Sequence, residues 1–155
     1  MVLSTGEDEE ALIESDTIKL LRECDAGVKM GVSSIDDVME YAGDKDLRRS
    51  LNHCRQQHEA LAKEIEQALD RFHDDGKEPN LMAKGMSWMK TTVKLAMNES
   101  DQTIAGLITD GCGMGVKSLS MYLNQYQAAD ESAKDIAKRL IAMEEQLGED
   151  MRKYL

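Results

Sequence analysis

The sequence predicts an all-α fold, and three observations carry that prediction. Its 155 residues include one Pro and only 4% aromatics, while hydrophobic residues reach 41%, drawn largely from Leu, Ala, Ile, Val and 11 Met. Such a composition favours helix over strand. The apolar residues recur at steps of three and four, not two. Short Gly-, Asp- and Pro-containing stretches divide these periodic segments into four long helices and one short one.

The first helix opens on a capping signature: Ser4 or Thr5 followed three residues later by Glu7 or Asp8, inside an acidic run that suits a helix N-terminus. Its seam reads Ile13, Leu20, Cys24, Val28, Gly31, Ile35, Val38 and Ala42, interrupted by Thr17. Gly43 ends it and Asp44 caps the second helix, whose seam is Leu47, Leu51, Cys54, His58, Leu61, Ile65, Ala68 and Phe72. The stretch HDDGKEPN breaks the pattern at Gly76 and Pro79. A shorter helix over roughly 80–97 comes next, with Met82, Met86, Met89, Val93 and Met97 on one side and Trp88 alongside. Ser100 and Asp101 restart the chain into a helix bearing Ile104, Ile108, Gly111, Gly115, Leu119, Tyr122 and Tyr126. Asp130 opens the last helix, with Ala133, Ile136, Leu140, Met143, Leu147, Met151 and Tyr154.

Two of the links are short, so each joins an antiparallel hairpin; the crossover at about 76–100 is long enough to run the length of the molecule. One domain over residues 1–155 is expected. With the two short turns at opposite ends, counting residues from them puts Gly31, His58, Gly115 and Glu144 near one central level.

The stretch DGCGMGVKS, residues 110–118, matches a phosphate-binding loop at Gly111, Lys117 and Ser118 but has Val116 where that loop needs glycine. No strand precedes it, so it reads as helix. Gly111 and Gly115 then stand four apart on a seam, as do Gly27 and Gly31 on the first helix. Four helix-weakening glycines need a packing reason. The expectation drawn is closure, with the two backbones in near contact; the alternative is that Met30, Met114 and Met143 swing in to fill the gap.

A formal charge of −11 argues against nucleic acid and against anionic membrane surfaces. No apolar run approaches the ~18 residues that span a bilayer. The opening MVLSTGEDEEALIES has neither a basic n-region nor an apolar h-region. Three widely spaced cysteines, Cys24, Cys54 and Cys112, form neither a disulfide framework nor a zinc ribbon. A cytoplasmic location with buried thiols is expected, and Cys112, flanked by glycines, is the thiol whose reactivity invites testing.

His58, mid-helix on an apolar seam, admits three readings: a satisfied core polar group, a metal ligand, or a pH-sensitive interhelical contact. Glu144 is the nearest acidic candidate by level, with Asp25 and Asp110 as further oxygen donors to a metal. Asp70-x-x-His73 has ligand spacing but falls at a helix end. The methionine stripe reads as adaptable packing before it reads as a partner groove. Leu107 and Met121 are the positions where a second subunit would be met in a homo-oligomer. No base can be identified for a Cys or His nucleophile, so an enzymatic activity is left open and not favoured.

The stretches CDAGVKMGVSSI, GMSWMKTTVKLAM and AKRLIAMEEQLGEDMRKYL resemble a bacterial family of ferritin-like four-helix bundles, a domain of unknown function, over roughly residues 10–155. The resemblance implies a fold and no particular activity. Iron-binding members of the wider superfamily use a Glu from each of two helices and a Glu-x-x-His pair from each of the others. Here Arg55-x-x-His58 and Glu144-x-x-Leu147 each keep half a motif, and Gly31 and Gly115 hold the remaining levels. The expected protein is a ferritin-like bundle without an intact di-iron site, acting by binding or assembly. The alternative is a metal-binding protein with a reduced site for iron or zinc built from His58, Glu144, Asp25 or Asp110.

Overall fold

A computed structural model describes residues 5–79 and 88–155. The sequence readings at Ser4, Met82 and Met86, and the side chains of Trp88 and Met97, lie outside the described residues. All regular structure among the described residues is helical: α1 (Gly6–Met39), α2 (Lys45–Asp70), α3 (Trp88–Leu95), α4 (Ser100–Gln125) and α5 (Glu131–Met151), with 3₁₀ turns at Met97–Glu99 and Arg152–Tyr154. Three of the long helices begin as their sequences dictate. Thr5 and Asp8 form a reciprocal capping box on α1. Asp44 accepts from the backbone of Asp46 and Leu47 on α2, and Asp130 accepts from that of Ala133 on α5.

Two polar rungs fix how the hairpins sit together. At one end, the carboxylate of Asp101 accepts from Gly43 N (2.7 Å) and Asp44 N (3.0 Å), so α4 starts against the α1–α2 turn. At the other end, Ala128 N donates to Asp16 (3.0 Å) and Asp130 N to the Thr17 hydroxyl (2.9 Å). Helix α4 therefore runs antiparallel to α1, and α5 parallel to it. Thr17 interrupts an apolar seam because it is buried as the acceptor for the α4–α5 turn.

The core divides into two apolar clusters. One contains Leu20, Val28, Leu61, Leu119 and Leu140; the other contains Ile35, Leu51, Cys54, Cys112 and Leu147. On every long helix the residue between the clusters belongs to a single level: Gly31, His58, Gly115 and Glu144. That level carries no apolar side chain. The crossover leaves α2 through His73, whose φ of 56° is unusual for a non-glycine residue, and Gly76, whose φ of 88° is left-handed. Residues 74–78 are tied to α1 by Arg22–Asp74 (3.2 Å), Lys77–Glu23 (2.6 Å) and Lys29–Glu78 (3.0 Å). The chain returns in α3, which packs against both α1 and α4 and buries Met89 and Val93.

Candidate functional site

The central level is built from two neighbouring helices, α2 and α5. The imidazole of His58 on α2 is fully buried, and its Nε2 lies 2.7 Å from Oε1 of Glu144 on α5. Its Nδ1 lies 2.9 Å from the Cys54 carbonyl and 3.3 Å from Cys54 Sγ. A carbonyl only accepts, so Nδ1 carries a proton. Burial works against an imidazolium here, but the hydrogen bonds to Cys54 and Glu144 outweigh it and raise the His58 pKa to about 10. The pair is an imidazolium held by a carboxylate. Cys112 on α4 also bonds the Glu144 carboxylate; burial first, then the charge of Glu144, pushes its thiol well above the usual range. Burial likewise raises Cys24 to about 12, with Glu23 and Asp25 adding to the effect. Both thiols remain protonated at neutral pH and are poor nucleophiles.

The chain Cys54–His58–Glu144 has the connectivity of a nucleophile, a base and an orienting acid. The likeness stops at the Nδ1 proton. That proton points to the Cys54 carbonyl, so the nitrogen beside the thiol is not free to accept a proton from it.

The other two long helices, α1 and α4, are neighbours that pack against each other but leave a gap at this level. Between them lies a cavity of about 470 Å³. On the α1 side it is lined by Gly27, Met30, Gly31 and Ile35, and on the α4 side by Ile108, Gly111, Met114 and Gly115. His58 and Glu144 form its floor, and Pro79 and Met89 lie at its edge. The expected closure of the glycine seams is therefore corrected. The glycines do make room, but for side chains reaching across from α2 and α5. A Cβ at Gly31 would fall 2.6 Å from His58 Cδ2, and one at Gly27 would fall 3.3 Å from a Leu140 methyl. At Gly115 the neighbour is Glu144 Oε2 at 3.5 Å, and at Gly111 there is nothing within 4 Å. Helices α1 and α4 do pack against each other, but at the central level Gly31 faces His58 and Gly115 faces Glu144, so the seam glycines are not where those two backbones meet.

Of the sequence candidates, His58 and Glu144 are brought together. Asp25 is not part of their group. It is buried on α1, accepts from Lys77 N (2.9 Å) and pairs with Lys29 (2.8 Å), so it anchors the crossover. Asp110 lines the same cavity from an exposed position on α4. Asp70 and His73 are exposed at the end of α2. The described residues contain no group of three His, Cys, Asp or Glu able to hold a metal ion. The residues present do not fit a di-iron centre, because its four-helix carboxylate set is reduced to one Glu and one His that already satisfy each other. Lys117 is exposed on an unbroken α4, which is no phosphate loop. Leu107 is half-buried and lines the cavity, whereas Met121 is 59% exposed.

The cavity and Asp37 on its wall are the parts that sequence reasoning missed. Asp37 sits mid-way between apolar positions of α1, and burial, opposed by Lys90, raises its pKa. No helix among the described residues is long and apolar enough to cross a membrane. Comparison with known proteins finds no matching family, no matching curated protein and no matching solved structure.

Proposed function

We propose that this chain is a small-molecule binding protein: a ferritin-like bundle that has exchanged a di-iron centre for an apolar cavity. The observation that carries this reading is the cavity of about 470 Å³ with methionine, leucine and glycine walls and one polar pair at its floor. That volume and that mixture suit a ligand pocket. The two apolar clusters above and below hold the helices while leaving the middle level unfilled. Catalysis is not favoured, since the two ionisable groups at the floor neutralise each other and the Cys24 and Cys112 thiols stay protonated. Three free, buried cysteines suit a reducing compartment such as the cytoplasm. The reduced metal site is the weaker alternative, because it would have to break a 2.7 Å hydrogen bond to free either ligand.

The test is a titration of the full chain with a neutral fluorescent probe, N-phenyl-1-naphthylamine. Saturable binding near one probe per chain is expected, lost on Gly111→Trp, which fills the cavity. Absence of saturable binding, or binding indifferent to Gly111→Trp, would overturn the reading. Equilibrium dialysis against ferrous iron and zinc tests the alternative.

A further inference from the structure

The charges around the cavity are one-sided. Among the described residues its lining contains four carboxylates, Glu23, Asp37, Asp110 and Glu144, and no Lys or Arg. Two of the four are neutralised: Glu144 by His58 and Glu23 by Lys77. Asp37 on α1 and Asp110 on α4 have no hydrogen-bond or ion-pair partner among the described residues; Lys90, which pairs with Glu40, reaches Asp37 only as a more distant charge. The rungs at Gly43–Asp101 and Asp16–Ala128 set the register of the facing helices. In that register Asp37 and Asp110 stand on opposite walls within about one helical turn of the same height.

We infer that the ligand is an amphiphilic cation, an alkyl or aryl amine whose apolar body lies along the glycine and methionine walls and whose ammonium group sits between Asp37 and Asp110. An anionic amphiphile would bring a third negative charge into a half-buried space where the one cation among the described lining residues, His58, is already paired with Glu144. A neutral one would bury the carboxylates further without compensation. An ammonium supplies the missing charge, and its three donors suit acceptors on both walls. At about 30 Å³ per heavy atom the cavity holds roughly fifteen, the size of a medium-chain amine or a small ring system.

This inference rests on the binding reading, and one competition series separates the two. N-phenyl-1-naphthylamine bound to the full chain is displaced by octylammonium, octanol or octanoate, each below its micellar concentration, at low and high salt. Octylammonium is expected to compete about tenfold better than octanol at low salt, and octanoate worse than either. High salt and the Asp37→Asn/Asp110→Asn double variant should each shrink the cation's advantage, and thermal melting confirms that the variant is folded. Equal competition by the three, or a preference for octanoate, overturns the cation while leaving the cavity reading in place. An advantage that survives the double variant overturns the role of these two carboxylates. Failure of the probe itself to bind defeats the binding reading and this inference with it.

Discussion

Two pairs of neighbouring helices treat the central level in opposite ways. Helices α2 and α5 meet there through long polar side chains, His58 and Glu144, which satisfy each other. Helices α1 and α4 also pack against each other, but at this level they present glycines and a cavity lies between them. The difference shows that glycine on a helix seam allows close approach without requiring it. At Gly31 and Gly115 it makes room for the pair that reaches in from the other two helices.

The sharpest way to break this contrast is to unpair His58 and Glu144 between α2 and α5. Glu144→Ala leaves a buried imidazolium without its carboxylate and should cost about 3 kcal/mol or more in urea unfolding. Adding His58→Leu to that variant should recover part of the loss, since the uncompensated charge is removed. A Glu144→Ala cost below about 1 kcal/mol would mean the pair does not hold the centre.

Next in size is a comparison of single methyl groups. Gly31→Ala places a Cβ against the rigid His58 ring, 2.6 Å from Cδ2, and should cost on the order of 1–3 kcal/mol. Gly111→Ala meets nothing within 4 Å and should instead stabilise by up to about 0.8–1.0 kcal/mol through helix propensity. Opposite signs at two glycines on facing seams would sharpen the distinction between the filled and the open parts of the central level; equal costs would erase it.

The pH dependence reads the pair more gently. The folded-state pKa of His58, raised from 6.5 to about 10, means the fold binds this proton more tightly than the unfolded chain does. Its contribution is therefore fully present below about pH 6.5 and is lost as pH rises toward about 10. The raised thiols Cys24 and Cys112 act in the same direction at the alkaline end, where their tighter proton binding in the fold lowers stability as pH rises past their ordinary value of 9.0. Stability measured between pH 6.5 and 9 should fall in the wild type and fall less in His58→Gln. The smallest effect is expected at Lys117: replacement by Ala on the exposed face of α4 should change stability by less than about 0.5 kcal/mol and leave no nucleotide-dependent shift in melting.

Much of the frame was legible in the sequence because the physics that builds it is local. Seam spacing marks the helices, Thr5, Asp44 and Asp130 mark their starts, and counting from the two short turns brings Gly31, His58, Gly115 and Glu144 to one level. The cavity was not legible. Four seam glycines report that no side chain stands at that level, which is compatible with contact or with a gap; the interhelical distance depends on residues in other segments. Asp101 was hidden for a related reason. It reads as the start of its own helix, yet its carboxylate satisfies the backbone of a turn far away in sequence. Asp25 carries metal-ligand chemistry in its residue type, and only its tertiary partners Lys77 and Lys29 make it an anchor.

The cavity between α1 and α4 is tested most directly by the melting temperature of Gly111→Leu. If the two helices leave a cavity at this level, the leucine fills free space and the variant melts at or above wild type. If they close on each other there in solution, the same side chain overpacks their contact, and a drop of several degrees would contradict the cavity on which the proposed binding function rests.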